Sequence, residues 1–81
     1  MAQTSDRFYE KFGRRLRKAR TGAGLTQEVA SGLLGMDQTN LSRLELGKQG
    51  ITLKDAYRMA ALYKVPFDHL VMNDSPLDLD H

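Results

Sequence analysis

The chain has 81 residues, a formal net charge of +2, two histidines and no cysteine. That length holds one small domain with a marginal core, so a tight helical bundle or support from a partner subunit is expected. The lack of cysteine excludes a disulfide framework and cysteine metal sites, and no apolar run nears the roughly 18 residues that cross a bilayer. A reducing cytoplasm fits these features. The polar opening from Met1 to Asp6 cannot serve as the apolar part of a secretory signal, so residues 1–7 read as a flexible arm. Charge is unevenly spread. Residues 1–24 carry seven Lys or Arg against Asp6 and Glu10, whereas residues 66–81 carry four aspartates and no Lys or Arg. A basic segment and an acidic tail suggest one face turned toward a polyanion; a solvated charged helix explains the basic segment equally well.

The first predicted helix takes its apolar stripe from Phe8 or Tyr9, then Phe12, Leu16 and Ala19, at spacings of three and four. Thr21-Gly22-Ala23-Gly24 stops it. A second helix spans roughly Gln27 to Leu34, with Thr26 as its cap and Gly35 as its end. Val29 and Gly32 are poor helix formers, so this helix must depend on tertiary packing. Asp37 is expected to cap the third helix, with Met36 and Leu41 packed together as a hydrophobic staple. Leu41 and Leu44 face the core, and Gln38, Thr39, Ser42 and Arg43 form a polar face. Gly47 ends this helix.

Thr52 and Asp55 resemble a capping box at the start of helix four. Leu53, Ala56, Ala60 and Tyr63 give its buried stripe, with Met59 close by. Val65-Pro66 breaks it, since proline disfavours helix at the residue before it. Phe67, Leu70 and Val71 suggest a short fifth helix, and residues 72–81 read as a flexible acidic tail. No strand-period alternation, internal repeat or low-complexity tract is present. The expected fold is an all-α five-helix bundle over residues 8–71.

Helices two and three, joined at Gly35, suit a helix-turn-helix whose second helix pushes its front end into the major groove of DNA. The resemblance is specific at Phe12-Gly13-Arg14-Arg15-Leu16-Arg17, Arg20, Gly24-Leu25-Thr26-Gln27-Glu28, Leu34-Gly35, Leu41-Ser42-Arg43-Leu44-Glu45 and Gly47-Lys48. It continues through Thr52-Leu53, Ala60, Leu62, Val65, Phe67-Asp68 and Leu70. These residues look like the Cro/CI-type (XRE) helix-turn-helix family, with its spacings intact over about residues 9–71. The resemblance implies a lambda-repressor-like five-helix domain that binds double-stranded DNA, usually as a homodimer on a palindromic operator. Short members of this kind include phage Cro-like repressors and restriction–modification controller proteins.

The resemblance also implies roles for individual residues. Gln38, Thr39 and Arg43 match positions that reach base edges, and Asn40 could add a base or phosphate contact. The chemistry suits them: glutamine pairs twice with adenine, arginine twice with guanine, and a threonine methyl packs on thymine. Gln27 matches a phosphate contact at the start of helix two, beside Thr26. Ser42, Lys48 and Gln49 are further expected phosphate contacts. Arg14, Arg15 and Arg17 either track the DNA backbone, Arg15 foremost, or serve only solubility. Arg20 and Glu45 match a structural salt bridge between helices one and three. Phe67, Leu70, Val71 and Met72 are the expected dimer interface.

Four departures stand out. Ala30-Ser31 replaces the usual Leu-Ala, and Leu33 and Val29 occupy normally polar positions, to be covered by Phe8 or Tyr9 or to meet a partner. Leu46 replaces a polar residue and Ile51 a proline in the phosphate loop. No acid–base or metal-ligand constellation exists, so an enzyme, a metal and a cofactor are not expected. RNA polymerase is a conceivable partner, because both repression and activation are open. The rival reading is a protein-interaction module, such as an antitoxin-like partner, built on the same fold.

Overall fold

A computed structural model describes the backbone of residues 2–71 and the side chains of residues 7–71. Its five helices are α1 (Ala2–Gly22), α2 (Gln27–Leu34), α3 (Gln38–Leu46), α4 (Leu53–Tyr63) and α5 (Phe67–Val71). The described residues form an all-α domain with no strand. Helix α1 starts at Ala2, inside the segment expected as an arm. Nothing between Ala2 and Arg7 stops it, since that stretch has neither glycine nor proline. The expected tail over 72–81, with Met72, lies outside the described residues.

The boundaries follow from local chemistry. Thr26 Oγ1 accepts the Val29 N–H at 3.1 Å, and Thr52 Oγ1 accepts the Asp55 N–H at 3.1 Å. Helices α2 and α3 close on Gly35 and Gly47, whose φ values of 70° and 75° suit a residue without Cβ. Asp37 sits at the extended cap position of α3, but its carboxylate accepts no capping hydrogen bond there. At the two positions expected to form the staple, Leu41 is fully buried and Met36 is packed against the core. Helix α4 ends one residue before Val65-Pro66, on Lys64 in the left-handed region at φ 60°. The Val65 N–H then donates to the Ala60 carbonyl at 3.0 Å, closing the helix in a Schellman-like turn.

The core runs through Phe12, Leu16, Ala30, Leu34, Leu41, Leu44, Ala56, Met59, Ala60, Tyr63 and Leu70. Leu70 belongs to this core at 2% exposure, so it cannot offer the partner surface expected of it. A five-residue helix has little apolar area, and Leu70 is the side chain that anchors α5 to the bundle. Phe67 and Val71 remain half-buried at the edge. Two arginines seal helix ends from outside. Arg15 Nη1 donates to the Leu70 and Val71 carbonyls at 3.2 and 3.3 Å, and Arg58 Nη2 to the Leu34 carbonyl at 2.7 Å.

Helix α1 crosses α3 at backbone contact. A Cβ on Gly13 would lie 2.5 Å from the carbonyl oxygens of Leu44 and Glu45, and one on Gly47 would lie 2.6 Å from Glu10 Cα. Only glycine fits at either point. Gly32, by contrast, sits inside α2 with open space around any added methyl. Gly32→Ala should therefore stabilise the domain by about 1 kcal/mol. Gly13→Ala should cost about 2 kcal/mol or more, because backbone must move to admit the methyl. Urea unfolding of the two variants beside the parent chain checks both signs.

Candidate nucleic-acid interface

Helix α3 is two-faced. Leu41 and Leu44 point into the core, while Gln38, Thr39 and Arg43 stand exposed on the opposite side. These three, with Gln27, Ser42, Leu46 and Lys48, line one open depression of about 440 Å³. Gln27 comes from the first turn of α2, and Lys48 from the loop just past α3. Three chain segments thus meet on one polar, cation-bearing face. A single duplex could touch all of them at once.

A buried ion pair lies behind that face. Glu45 is only 5% exposed, on the inner side of α3. Arg20 Nε–H donates to Glu45 Oε2 at 2.6 Å, and Nη2–H donates to Oε1 at 3.0 Å. The remaining arm of the guanidinium donates to the Leu25 carbonyl at 2.8 Å. Gln27 Nε2–H donates to Glu45 Oε1 at 3.0 Å, adding α2 to the cluster. The hydrogen bonding of Arg20 to the Glu45 carboxylate leads in raising the Arg20 pKa, burial opposes it, and the attraction of the carboxylate adds to it. Such a fork pair is geometrically demanding, and removing one partner of a buried pair costs about 3–5 kcal/mol.

The sequence from residue 11 to residue 71 matches the model of the helix-turn-helix domain. The chain belongs to the helix-turn-helix family. It is of the Cro/CI (XRE) type, a class of DNA-binding transcription regulators. Among solved structures it is similar to the restriction-modification controller protein C.AhdI from Aeromonas hydrophila, at 32% identity and a TM-score of 0.71. That likeness covers 76% of this chain and 94% of C.AhdI. No functionally curated protein matches the sequence.

On this helix-turn-helix frame, Gln38, Thr39, Arg43, Ser42, Gln27 and Lys48 come together as one surface. Thr26 is exposed beside them, its hydroxyl oxygen engaged in capping α2. Three expected contacts lie elsewhere. Asn40 is half-buried, its Oδ1 accepts from Gln49 Nε2, and its Nδ2 lies 3.7 Å from Met36 Sδ. The pair ties α3 to the loop after it, and neither Asn40 nor Gln49 lines the depression. Arg15 is half-buried, its Nη1 donates to the carbonyls at the end of α5, and it does not line the depression.

The sequence marks Leu46 only as a departure in the phosphate loop, and Arg17 only as one of three arginines that either track the DNA backbone or serve solubility. Arg17 and Leu46 line a second hollow that adjoins the first between α1 and α3. The available signal for Arg17 is helical spacing: it lies four residues after Gly13 and three before Arg20, both of which touch α3. Val29 and Leu33 remain open on α2, at 49% and 60% exposure. A separate apolar hollow of about 290 Å³ involves Phe8, Leu53, Phe67 and Val71, and Tyr57 stacks on Phe67 at 4.4 Å beside it. No described helix is long and apolar enough to cross a membrane, and the described residues hold no cluster suited to a metal ion.

The Tyr63 hydroxyl is buried with no hydrogen-bond partner among the described residues. Burial first, then the nearby charge of Glu45, pushes its pKa up to about 12, with Arg20 pulling the other way. An unfolded tyrosine ionises near 10. The neutral phenol therefore contributes fully below pH 10, and that contribution is lost as pH rises from 10 toward 12. Tyr63→Phe should leave stability at pH 7 equal or higher, because it removes an unsatisfied buried group. It should also flatten the alkaline decline, which urea midpoints measured at pH 7 and across pH 10–12 would show.

Proposed function

We propose that this chain is a sequence-specific, non-enzymatic transcription regulator that binds a palindromic operator as a homodimer through α3. The observation that carries the reading is the shared exposure of Gln38, Thr39 and Arg43 on one open face, flanked by Gln27 and Lys48. Arg43 suits the paired acceptors of guanine, Gln38 the donor and acceptor of adenine, and the Thr39 methyl a thymine methyl. Gln27, Ser42 and Lys48 meet phosphates and fix the register. The family membership and the likeness to a restriction-modification controller support regulation as the role. The cytoplasm, where DNA is reached, is the proposed compartment.

The proposed self-association surface is the apolar region around Phe8, Leu53, Tyr57, Phe67 and Val71. A twofold pair would set two copies of α3 about 34 Å apart on one side of the duplex. Placement of the operator decides the sign of regulation: over a promoter it blocks, and upstream of it the bound protein can touch RNA polymerase. The DNA-binding unit is assigned to residues 8–71, with the acidic tail of residues 72–81 outside it.

Selection of bound sequences from a random duplex pool should return a symmetric site. Affinity for it should fall with salt on a log–log slope of about −5, as expected for roughly six neutralised phosphates. A protein adaptor with the same fold would show no such salt-dependent binding of duplex DNA. Arg43→Ala should cost about 1–3 kcal/mol on the selected site and relax one base position, whereas Lys48→Ala should weaken every sequence alike. Equal losses on operator and random DNA for Arg43→Ala would reject its base-reading role.

Asn40 has a different signature. Holding Gln49 rather than a base, it should lower affinity uniformly when changed to alanine, with base preference intact. The loss should also overlap with that of Gln49→Ala instead of adding to it. Altered preference at one base, found by repeating the selection with Asn40→Ala, would return Asn40 to the reading set.

A further inference from the structure

Tyr9, half-buried against the core from α1, touches the loop after α3 twice. Its carbonyl oxygen would lie 2.8 Å from a Cβ on Gly47, and its phenol Oη and Cζ would lie 3.1 and 3.2 Å from one on Gly50. Lys48 and Gln49 are slung between those two points. The glycines differ in kind. Gly47 turns left-handed at φ 75°, whereas positive φ among the glycines is confined to Gly24, Gly35 and Gly47. Backbone conformation therefore does not ask for glycine at position 50; the phenol over it does. The ring is itself held, with Phe8 edge-on at 5.2 Å and with Ile51 and Thr52 beside it in the wall of the apolar hollow.

We infer that Tyr9 is a positioning residue for DNA binding: it props residues 47–50 from α1 and so sets where Lys48 meets the duplex. Residues 47–52 hold two glycines and no proline, so the chain there has little stiffness of its own. Its hydrogen bonds secure only the first half. The Lys48 N–H donates to the Arg43 carbonyl at 2.9 Å, and Gln49 donates to Asn40, both on α3. Gly50 rests instead on the phenol. Tyrosine suits that task, because its ring is a rigid apolar spacer and its polar tip tolerates the exposed glycine. The Lys48 side chain is exposed and lines the reading depression, so a sagging loop would carry its ammonium away from the duplex. An ion attraction weakens as that distance grows. The inference rests on the DNA-binding reading, and the experiment separates the two.

The full chain and its variants are titrated from low to high salt with a duplex carrying one half-site, which a single protomer fills. Self-association then stays out of the result, and urea midpoints identify conditions in which every variant is folded. Lys48→Ala should lower the salt slope by about 0.9. Tyr9→Leu should lower it as far, although it leaves every charge in place, and base preference should be unchanged. Lys48→Ala should add little to Tyr9→Leu, because the contact is already lost. Tyr9→Phe keeps Cζ over Gly50 and should bind close to the parent. Gly50→Ala presses on the phenol from the other side and should also weaken binding. Joined with Tyr9→Leu, its methyl takes up the vacated space, and the pair should bind more tightly than either single variant. A Tyr9→Leu chain with the parent slope and an undiminished penalty for Lys48→Ala overturns the prop while DNA binding stands. Strictly additive losses for Tyr9→Leu and Gly50→Ala, or a Lys48→Ala chain with the parent slope, overturn it too. A parent chain without salt-dependent duplex binding overturns both readings.

Discussion

One buried carboxylate decides where the reading helix points. Glu45 faces inward from α3 and is met by Arg20 from α1 and Gln27 from α2, so a single acidic group joins three helices. Burying it is costly unless its oxygens are paired and hydrogen-bonded, and here two guanidinium N–H groups and an amide N–H meet them. A small rotation of α3 would break that match and would also swing Gln38, Thr39 and Arg43 off their common face. The ion pair is therefore better understood as fixing orientation than as adding stability. Directionality is what a helix needs if its side chains are to meet bases in register.

The backbone crossing of α1 and α3 works toward the same end. Gly13 lies against the Leu44 and Glu45 carbonyls, and Gly47 lies against Glu10, so the two axes approach until main chain meets main chain. Helices α2 and α3 have only 8 and 9 residues, too short to persist alone in water. Their order is imposed from outside, by the 21-residue α1 beneath them and by the core they share. Rigidity in the reading face is thus borrowed from the longest helix.

What could be read from the sequence was whatever is local or periodic. Thr26, Thr52, Gly35 and Gly47 announced the helix limits, and the stripes at Phe12-Leu16 and Leu41-Leu44 announced the inward faces. Choices among equivalent side chains were not legible. Arg15 and Arg17 differ in the sequence by two places, yet one meets the end of α5 and the other the side of α3, because those places lie about 200° apart around the helix. Asn40 has the chemistry of a base reader, and only the folded loop supplies Gln49 as a competing partner. Leu70 carries an apolar side chain that suits either a core or an interface. Its fate turned on whether so short a helix needs it for anchoring, a question of area rather than pattern.

The arginine that closes α5 has a mechanical consequence. Because Arg15 grips the Leu70 and Val71 carbonyls, the edge presented by Phe67 and Val71 is bolted to the same rod that carries the crossing with α3. Any molecule seated on that edge is kept at a set distance from the groove-facing end of the protein, with no hinge between them. Those two surfaces then move as one piece, so whatever meets the first is held in fixed geometry to whatever meets the second.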